Sequence, residues 1–194
     1  MRTAQVNVPP DLIHFGVGQP GFDLLPLDLM QRAAAHRLGQ GEPALLNYGL
    51  ESGSDYFRQA LAEFLSRGYN TAVSPDHLFT TNGISQALDL LCTLLTQPGD
   101  TIFVEEPTYF LALDIFRDHH LRIVSLPTDD DGLIIEALAE KLQMEKPVFL
   151  YTIPTFQNPS GVTLSWERRQ RLIKLSQAHG FYILADEVYQ LLDY

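Results

Sequence analysis

Apolar and polar positions along this chain of 194 residues change rhythm near residue 77. Before that point, residues 1 to about 25 are rich in Pro and Gly and show little periodicity, which predicts an extended, irregular arm. Pro26 then opens a short helix to about Leu38, with Leu29, Met30, Ala33, Ala34 and Leu38 on one face. The stretch NYGLESGSDYFRQALAEFLSRGYN reads as a loop and an amphipathic helix. In it Tyr56, Phe57, Ala60, Leu61, Phe64 and Leu65 recur at steps of three and four, and Gly68 ends the helix.

From His77 onward, short apolar runs alternate with helical patterns. The predicted strands lie at about 77–81, 101–105, 121–125, 148–152 and 181–185, with helices at about 84–95, 109–119, 132–142 and 165–179 between them. The last helix is the best marked, with Ser165 as N-cap, Glu167 in its first turn and Gly180 after its end. The run Phe181 to Ala185 has no polar face, as expected of a strand buried on both sides. This alternation predicts an α/β fold, a mostly parallel sheet with helices on both faces. No internal repeat, linker or low-complexity segment marks a second complete domain.

Composition narrows the classes of partner. The net charge of −11 argues against nucleic acid and anionic membranes, which select clustered Lys and Arg. Arg168, Arg169 and Arg171 form the one basic cluster, and Glu167 beside them suggests a solvated helix face. Cys92 is the only cysteine, which excludes an internal disulfide and suits a reducing compartment. No apolar run approaches membrane length and the start lacks a signal-like core, so a cytoplasmic location is the expectation.

Candidate chemistry gathers where strands end. Open α/β sheets bind ligands at the carboxyl edge of their strands, and Asp186 follows the last apolar run there. After HLFTT, the turn Asn82-Gly83-Ile84-Ser85-Gln86 opens directly into a helix, exposing unpaired N–H groups and the Ser85 hydroxyl to an anion such as a phosphate. Tyr109 brings a ring to a third exit, and Asn158, flanked by Pro154 and Pro159, brings a fixed amide to a fourth. Each feature also has a purely structural use, as turn, cap or core aromatic. Together they describe a receptor for a planar, phosphorylated, nitrogen-containing ring.

Other patterns lack their context. Gly16 to Gly21 spells G-x-G-x-x-G, but no strand leads in, Pro20 removes a donor and no helix follows, so a dinucleotide site is rejected. Asp129-Asp130-Asp131-Gly132 lacks the alternating ligands of a calcium loop and is expected to be a turn before a helix. The six histidines are scattered, and no Gly-x-Ser-x-Gly elbow is present.

Six ordered motifs now carry a resemblance. Tyr48-Gly49, Thr81-Asn82-Gly83, Pro98-Gly99-Asp100, Glu106-Pro107-Thr108-Tyr109, Asn158-Pro159-Ser160-Gly161 and Asp186-Glu187-Val188-Tyr189 resemble the class I/II aminotransferases among the fold-type I pyridoxal phosphate enzymes. The resemblance implies that Asp186 pairs with the pyridinium nitrogen of pyridoxal 5′-phosphate, that Asn158 and Tyr189 bond the ring's phenolic oxygen and that Tyr109 stacks on the ring. It places the cofactor phosphate at Ile84 and Ser85, Tyr48 on the cofactor of a neighbouring subunit, hence a homodimer, and Gly18 close to the substrate. It divides the chain into an arm and short helix, 1–45, and a partial cofactor-binding large domain, 46–194.

The resemblance also implies parts that this chain does not show. The family's Schiff-base lysine follows a few dozen residues after the Asp-Glu-x-Tyr motif, and Lys141, Lys146 and Lys174 all lie away from strand exits. Two further strands are expected between the first strand and the rest. Without them, 77–81 loses its lateral partner and 148–152 keeps a bare edge, so the chain alone is expected to be poorly soluble or to assemble abnormally. The reading is therefore the front part of an enzyme moving an amino group from an amino acid to a 2-oxo acid, inactive alone. A β-lyase or decarboxylase on the same scaffold, or a nonenzymatic remnant keeping a phosphate or pyridoxal pocket, are the alternatives.

Overall fold

The computed structural model describes residues 11 and 20–192. The chain divides into two compact units, Met1–Pro75 and Asp76–Tyr194. In the first, α1 (Leu27–Leu38) follows Pro26, whose ring suits a helix start. Helix α2 (Asp55–Tyr69) runs through Gly68, and Asn70 ends it in the left-handed conformation at φ 50°. The apolar faces predicted for these helices are largely exposed: Leu29, Met30 and Leu38 on α1, and Tyr56, Phe57 and Phe64 on α2. What α2 buries is Arg58 and Ala62. The Arg58 guanidinium reaches Asp55 and the Pro75 carbonyl through its two terminal nitrogens, which offsets part of the cost of burying the charge, while Nε is buried without a partner.

The second unit holds the sheet. Its elements are α3 (Gly83–Leu95), β1 (Thr101–Glu106), α4 (Phe110–Asp118), β2 (Arg122–Asp129), β3 (Gly132–Leu133), α5 (Ile135–Leu142), β4 (Phe149–Thr152), α6 (Trp166–His179) and β5 (Tyr182–Ala185). The strand order is β3-β2-β1-β4-β5, parallel throughout except for the short β2/β3 pair. Strands β1 and β4 sit in the middle and bury residues on both faces, which is why they read as unbroken apolar runs. Ile102, Val104, Phe149 and Tyr151 pack with Leu88 and Cys92 of α3 and Ala112 and Phe116 of α4. Phe103 and Leu150 point the other way, into a cluster with Ile135, Leu138, Leu142 and Leu172 of α5 and α6. Helices thus cover both faces of the sheet.

Four expectations are corrected. Residues 77–81 form no strand: a 3₁₀ turn occupies Pro75–His77, and the first of the sheet's five strands is β1, Thr101–Glu106. The bare edge belongs to β5 rather than to β4, which lies between β1 and β5; accordingly Tyr182 is exposed and Ile183 and Leu184 are only half-buried, not enclosed on both sides. Gly132 and Leu133 make a strand pair with β2 before α5 begins at Ile135, so the Asp129–Gly132 turn leads into a strand and not directly into a helix. There the Asp131 amide donates to Asp129 Oδ1, and Gly132 has φ +91° with Leu164 Cα 2.9 Å from where a Cβ would stand, a position only glycine fills without strain.

The arginine cluster is the fourth. Arg168 donates to Asp129 and to the Gly132 and Leu133 carbonyls, and Arg169 to the Leu164 and Pro154 carbonyls and to Thr155 Oγ1. These side chains fasten α6 to the loops beside it; only Arg171, paired with Glu136, keeps to a surface role. Ser165 occupies the N-cap of α6 without a side-chain capping bond, while Gly180 closes the helix in the left-handed region as expected.

Candidate active site

The site is built from the register of two neighbouring strands. Tyr151 on β4 lies opposite Leu184 on β5, and Thr152 opposite Ala185. Because side chains alternate across a sheet, Asp186 projects to the same face as Leu184 and Tyr151. The Asp186 amide continues the ladder by donating to the Thr152 carbonyl at 2.9 Å, fixing its backbone. The Tyr151 hydroxyl donates to Asp186 Oδ2 at 2.8 Å. Asp186 is 4% exposed, and its other oxygen, Oδ1, is buried with no hydrogen-bond partner. A buried carboxylate oxygen without a donor costs about 1–3 kcal/mol or more, so Oδ1 marks a place built for a donor from outside the chain.

Around this carboxylate a cavity of about 130 Å³ is lined by Ile84, Tyr109, Ile153, Asn158, Asp186, Val188 and Tyr189. Ligand sites usually enclose roughly 300–1,000 Å³, so this is one wall for a ligand rather than an envelope. Five of the residues read from the sequence meet here: Ile84, Tyr109, Asn158, Asp186 and Tyr189. Burial, and then the charges of Tyr189 and Asp186, push the Tyr109 hydroxyl above its ordinary range, which keeps it neutral. Tyr109 also stands at the N-terminus of α4, edge-to-face with Phe110.

Ser85 is exposed, one residue beyond Ile84 on the first turn of α3. That helix starts at Gly83 with φ +78° and has no side-chain cap; the backbone N–H of Asn82, just before it, donates to Gln86 Oε1 at 2.6 Å. The first-turn N–H groups are therefore left to an anion. Tyr48 belongs to the first unit and is fully exposed. Gly18 lies outside the described residues. Lys141, Lys146 and Lys174 are not among the cavity's lining residues.

Beneath the wall sits a second buried carboxylate. Glu105 accepts from the Thr152 hydroxyl, from the Ile153 amide at 3.1 Å and from Gln157 Nε2 at 3.4 Å. Gln157 Nε2 also donates to the Pro107 carbonyl, and Gln157 Oε1 accepts from the Ser160 amide and hydroxyl. One carboxylate and one amide thus tie the loop carrying Tyr109 to the loop carrying Asn158. Burial raises the Glu105 pKa more than its three donors lower it. Tyr151, Glu105, Gln157, Ile153 and Val188 escape the sequence reading. The available signal is a polar group inside an otherwise apolar strand: Glu105 within TIFVEE and Tyr151 within VFLYT.

The donor set can now be tested against a pyridoxal ring: an orphaned buried carboxylate oxygen for a ring N–H, an amide and a phenol beside it, an aromatic neighbour and an open helix N-terminus. The residues present fit that group. The family model for aminotransferase class I and II matches residues 10–194. Aromatic-amino-acid aminotransferase 1 of Thermococcus litoralis is 38% identical over 95% of this chain and 45% of its own length. The crystal structure of a multiple substrate aminotransferase from Thermococcus profundus superposes with a TM-score of 0.84 at 33% identity, covering 92% of this chain and 46% of that one. LysN, an α-aminoadipate aminotransferase of Thermus thermophilus complexed with N-(5′-phosphopyridoxyl)-L-leucine, superposes at 0.80 with 32% identity, covering 89% of this chain and 43% of that one. The chain spans less than half the length of the relatives it matches, and it belongs to the class I and II aminotransferase family, whose cofactor is pyridoxal phosphate.

Proposed function

We propose that these residues form the cofactor-reading wall of an aminotransferase that moves an amino group from an amino acid to a 2-oxo acid. The observation that carries this reading is Asp186 Oδ1, buried, unpartnered and in the cavity lining. Bound pyridoxal phosphate supplies an electron-accepting ring. Asp186 would hold the proton on the ring nitrogen, and the cost of an unmatched buried charge would make that pairing strong. Asn158 and Tyr189 would fix the ring oxygen, Tyr109 would cover one face of the ring against water, and the Ile84 and Ser85 turn would take the phosphate. Tyr48 would serve the cofactor of a neighbouring subunit in a homodimer, and Gly18 would approach the substrate.

The same wall explains why the chain alone is proposed to be inactive. With none of its three lysines in the lining, it would hold the cofactor without covalent capture and without a base for the substrate's α-proton. Pyridoxamine 5′-phosphate, which cannot condense with surface lysines, tests the wall directly. Calorimetric titration is expected to show saturable binding that Asp186→Asn weakens by roughly tenfold or more, the scale of a hydrogen bond between charged groups. No binding, or equal binding by both proteins, overturns the reading.

A further inference from the structure

We propose that Tyr151 is the positioning residue of the site: it occupies Asp186 Oδ2 so that Oδ1 alone, held in one orientation, is presented to the ring nitrogen. The inference rests on the functional reading above. Tyr151 is fully buried, and its ring is fixed edge-on to Phe116 at 5.4 Å, so the hydroxyl has little freedom to leave Asp186. A carboxylate rotates readily about its terminal torsion, and in a pocket with a single ligand donor either oxygen would serve. Here one oxygen is engaged and the other is bare.

The direction of that hydrogen bond matters as well. Burial, and then the charge of Asp186, raise the Tyr151 hydroxyl far above its ordinary range, so it stays protonated and donates at any working pH. Tyr151 cannot act as the acceptor for a proton from Asp186 Oδ2 while it is itself the donor. The hydrogen that Oδ1 lacks must come from the ligand, and a protonated ring nitrogen provides one. Tyr151 touches neither ring nor substrate in this scheme, since it is absent from the cavity lining and acts only through Asp186.

Tyr151→Phe removes the hydroxyl and keeps the ring that packs on Phe116. Two probes separate positioning from packing: pyridoxamine 5′-phosphate, and its 1-deaza analogue, in which C–H replaces the ring nitrogen. The variant is expected to bind pyridoxamine phosphate about tenfold more weakly than the parent chain, while binding of the analogue changes less than about twofold. In an Asp186→Asn background the same substitution is expected to add nothing, because the group it acts through is gone. Equal weakening for both probes, or full additivity with Asp186→Asn, overturns the inference while leaving the functional reading intact. A parent chain that binds neither probe overturns both. Circular dichroism of the variant guards against misfolding; should it be unfolded, Tyr151→Phe in a chain stabilised by Gly68→Ala repeats the measurement.

Discussion

Helices α2 and α5 carry apolar stripes of the same kind, and only one of them buries its stripe. On α5, Ile135, Leu138 and Leu142 are buried against the sheet. On α2, Tyr56, Phe57 and Phe64 face outward and the buried positions are Arg58 and Ala62. The two units differ in the same way throughout, because the second has a sheet with two faces to cover and the first, among the described residues, has none. A hydrophobic period states what a helix requires; burial depends on whether another element supplies the matching surface.

Large-to-small substitutions should divide the units most widely. Phe116 is fully buried between the rings of Phe149 and Tyr151, so Phe116→Ala is expected to lower unfolding stability by about 3–5 kcal/mol. Phe64→Ala, at an exposed site, should stay within about 0.5 kcal/mol. Urea denaturation of both variants measures this. A comparable loss at Phe64 would break the comparison, by revealing that α2 is covered in solution.

Two glycines sharpen it next. At Gly132 a methyl group meets Leu164 Cα at 2.9 Å and the backbone sits at positive φ, so Gly132→Ala should cost about 1–3 kcal/mol. At Gly68, inside α2, nothing lies within 4 Å of the added Cβ. Gly68→Ala should therefore raise stability by about 0.5–1 kcal/mol, through helix propensity and a less free unfolded chain. Thermal melts of both variants check the opposite signs.

The site carries a pH signature of its own in the buried Glu105. The folded state raises the Glu105 pKa above its ordinary 4.5, which means that the folded chain holds this proton more tightly than the unfolded chain. The contribution is complete below the ordinary carboxylate range and is lost as pH rises from about 4.5 through the folded value. Glu105→Gln is expected to flatten that part of the stability curve while keeping the loops tied through Gln157. Melting temperature against pH for both proteins decides it, and an unchanged slope would remove Glu105 as its source.

Much of this was legible from residue order. Parallel central strands give apolar runs, so β1 and β4 were readable without coordinates, and Ile84, Tyr109, Asn158, Asp186 and Tyr189, singled out from the sequence, line one cavity, although the strand expected before Ile84 is absent. What stayed hidden depends on pairing. Residues 77–81 have strand composition but are not a strand of the sheet, and β5 is apolar yet an edge. Tyr151 and Glu105 look like ordinary strand residues until register brings one under Asp186 and the other under two loops. Local pattern does not contain register, which is a property of two segments at once.

The smallest expected effect inverts the contrast between the units. Each has an i, i+3 ion pair on a helix: Asp55 with Arg58 on α2, and Asp114 with Arg117 on α4. In the sheet-bearing unit the pair is the exposed one, with both side chains 61% accessible. Such a pair exchanges water for a partner at almost no net gain, so Arg117→Ala should shift stability by no more than about 0.5 kcal/mol and lose even that in high salt. In the first unit Arg58 is buried and also donates to the carbonyl of half-buried Pro75, so Arg58→Ala removes a charged donor and its buried stem and should cost about 1–3 kcal/mol. Denaturant titrations at low and high salt measure both variants. Salt-insensitive loss at Arg58 beside salt-erased loss at Arg117 would show that the first unit is held by a polar hub where the second is held by its sheet; equal, salt-sensitive losses would show that Arg58 is solvated.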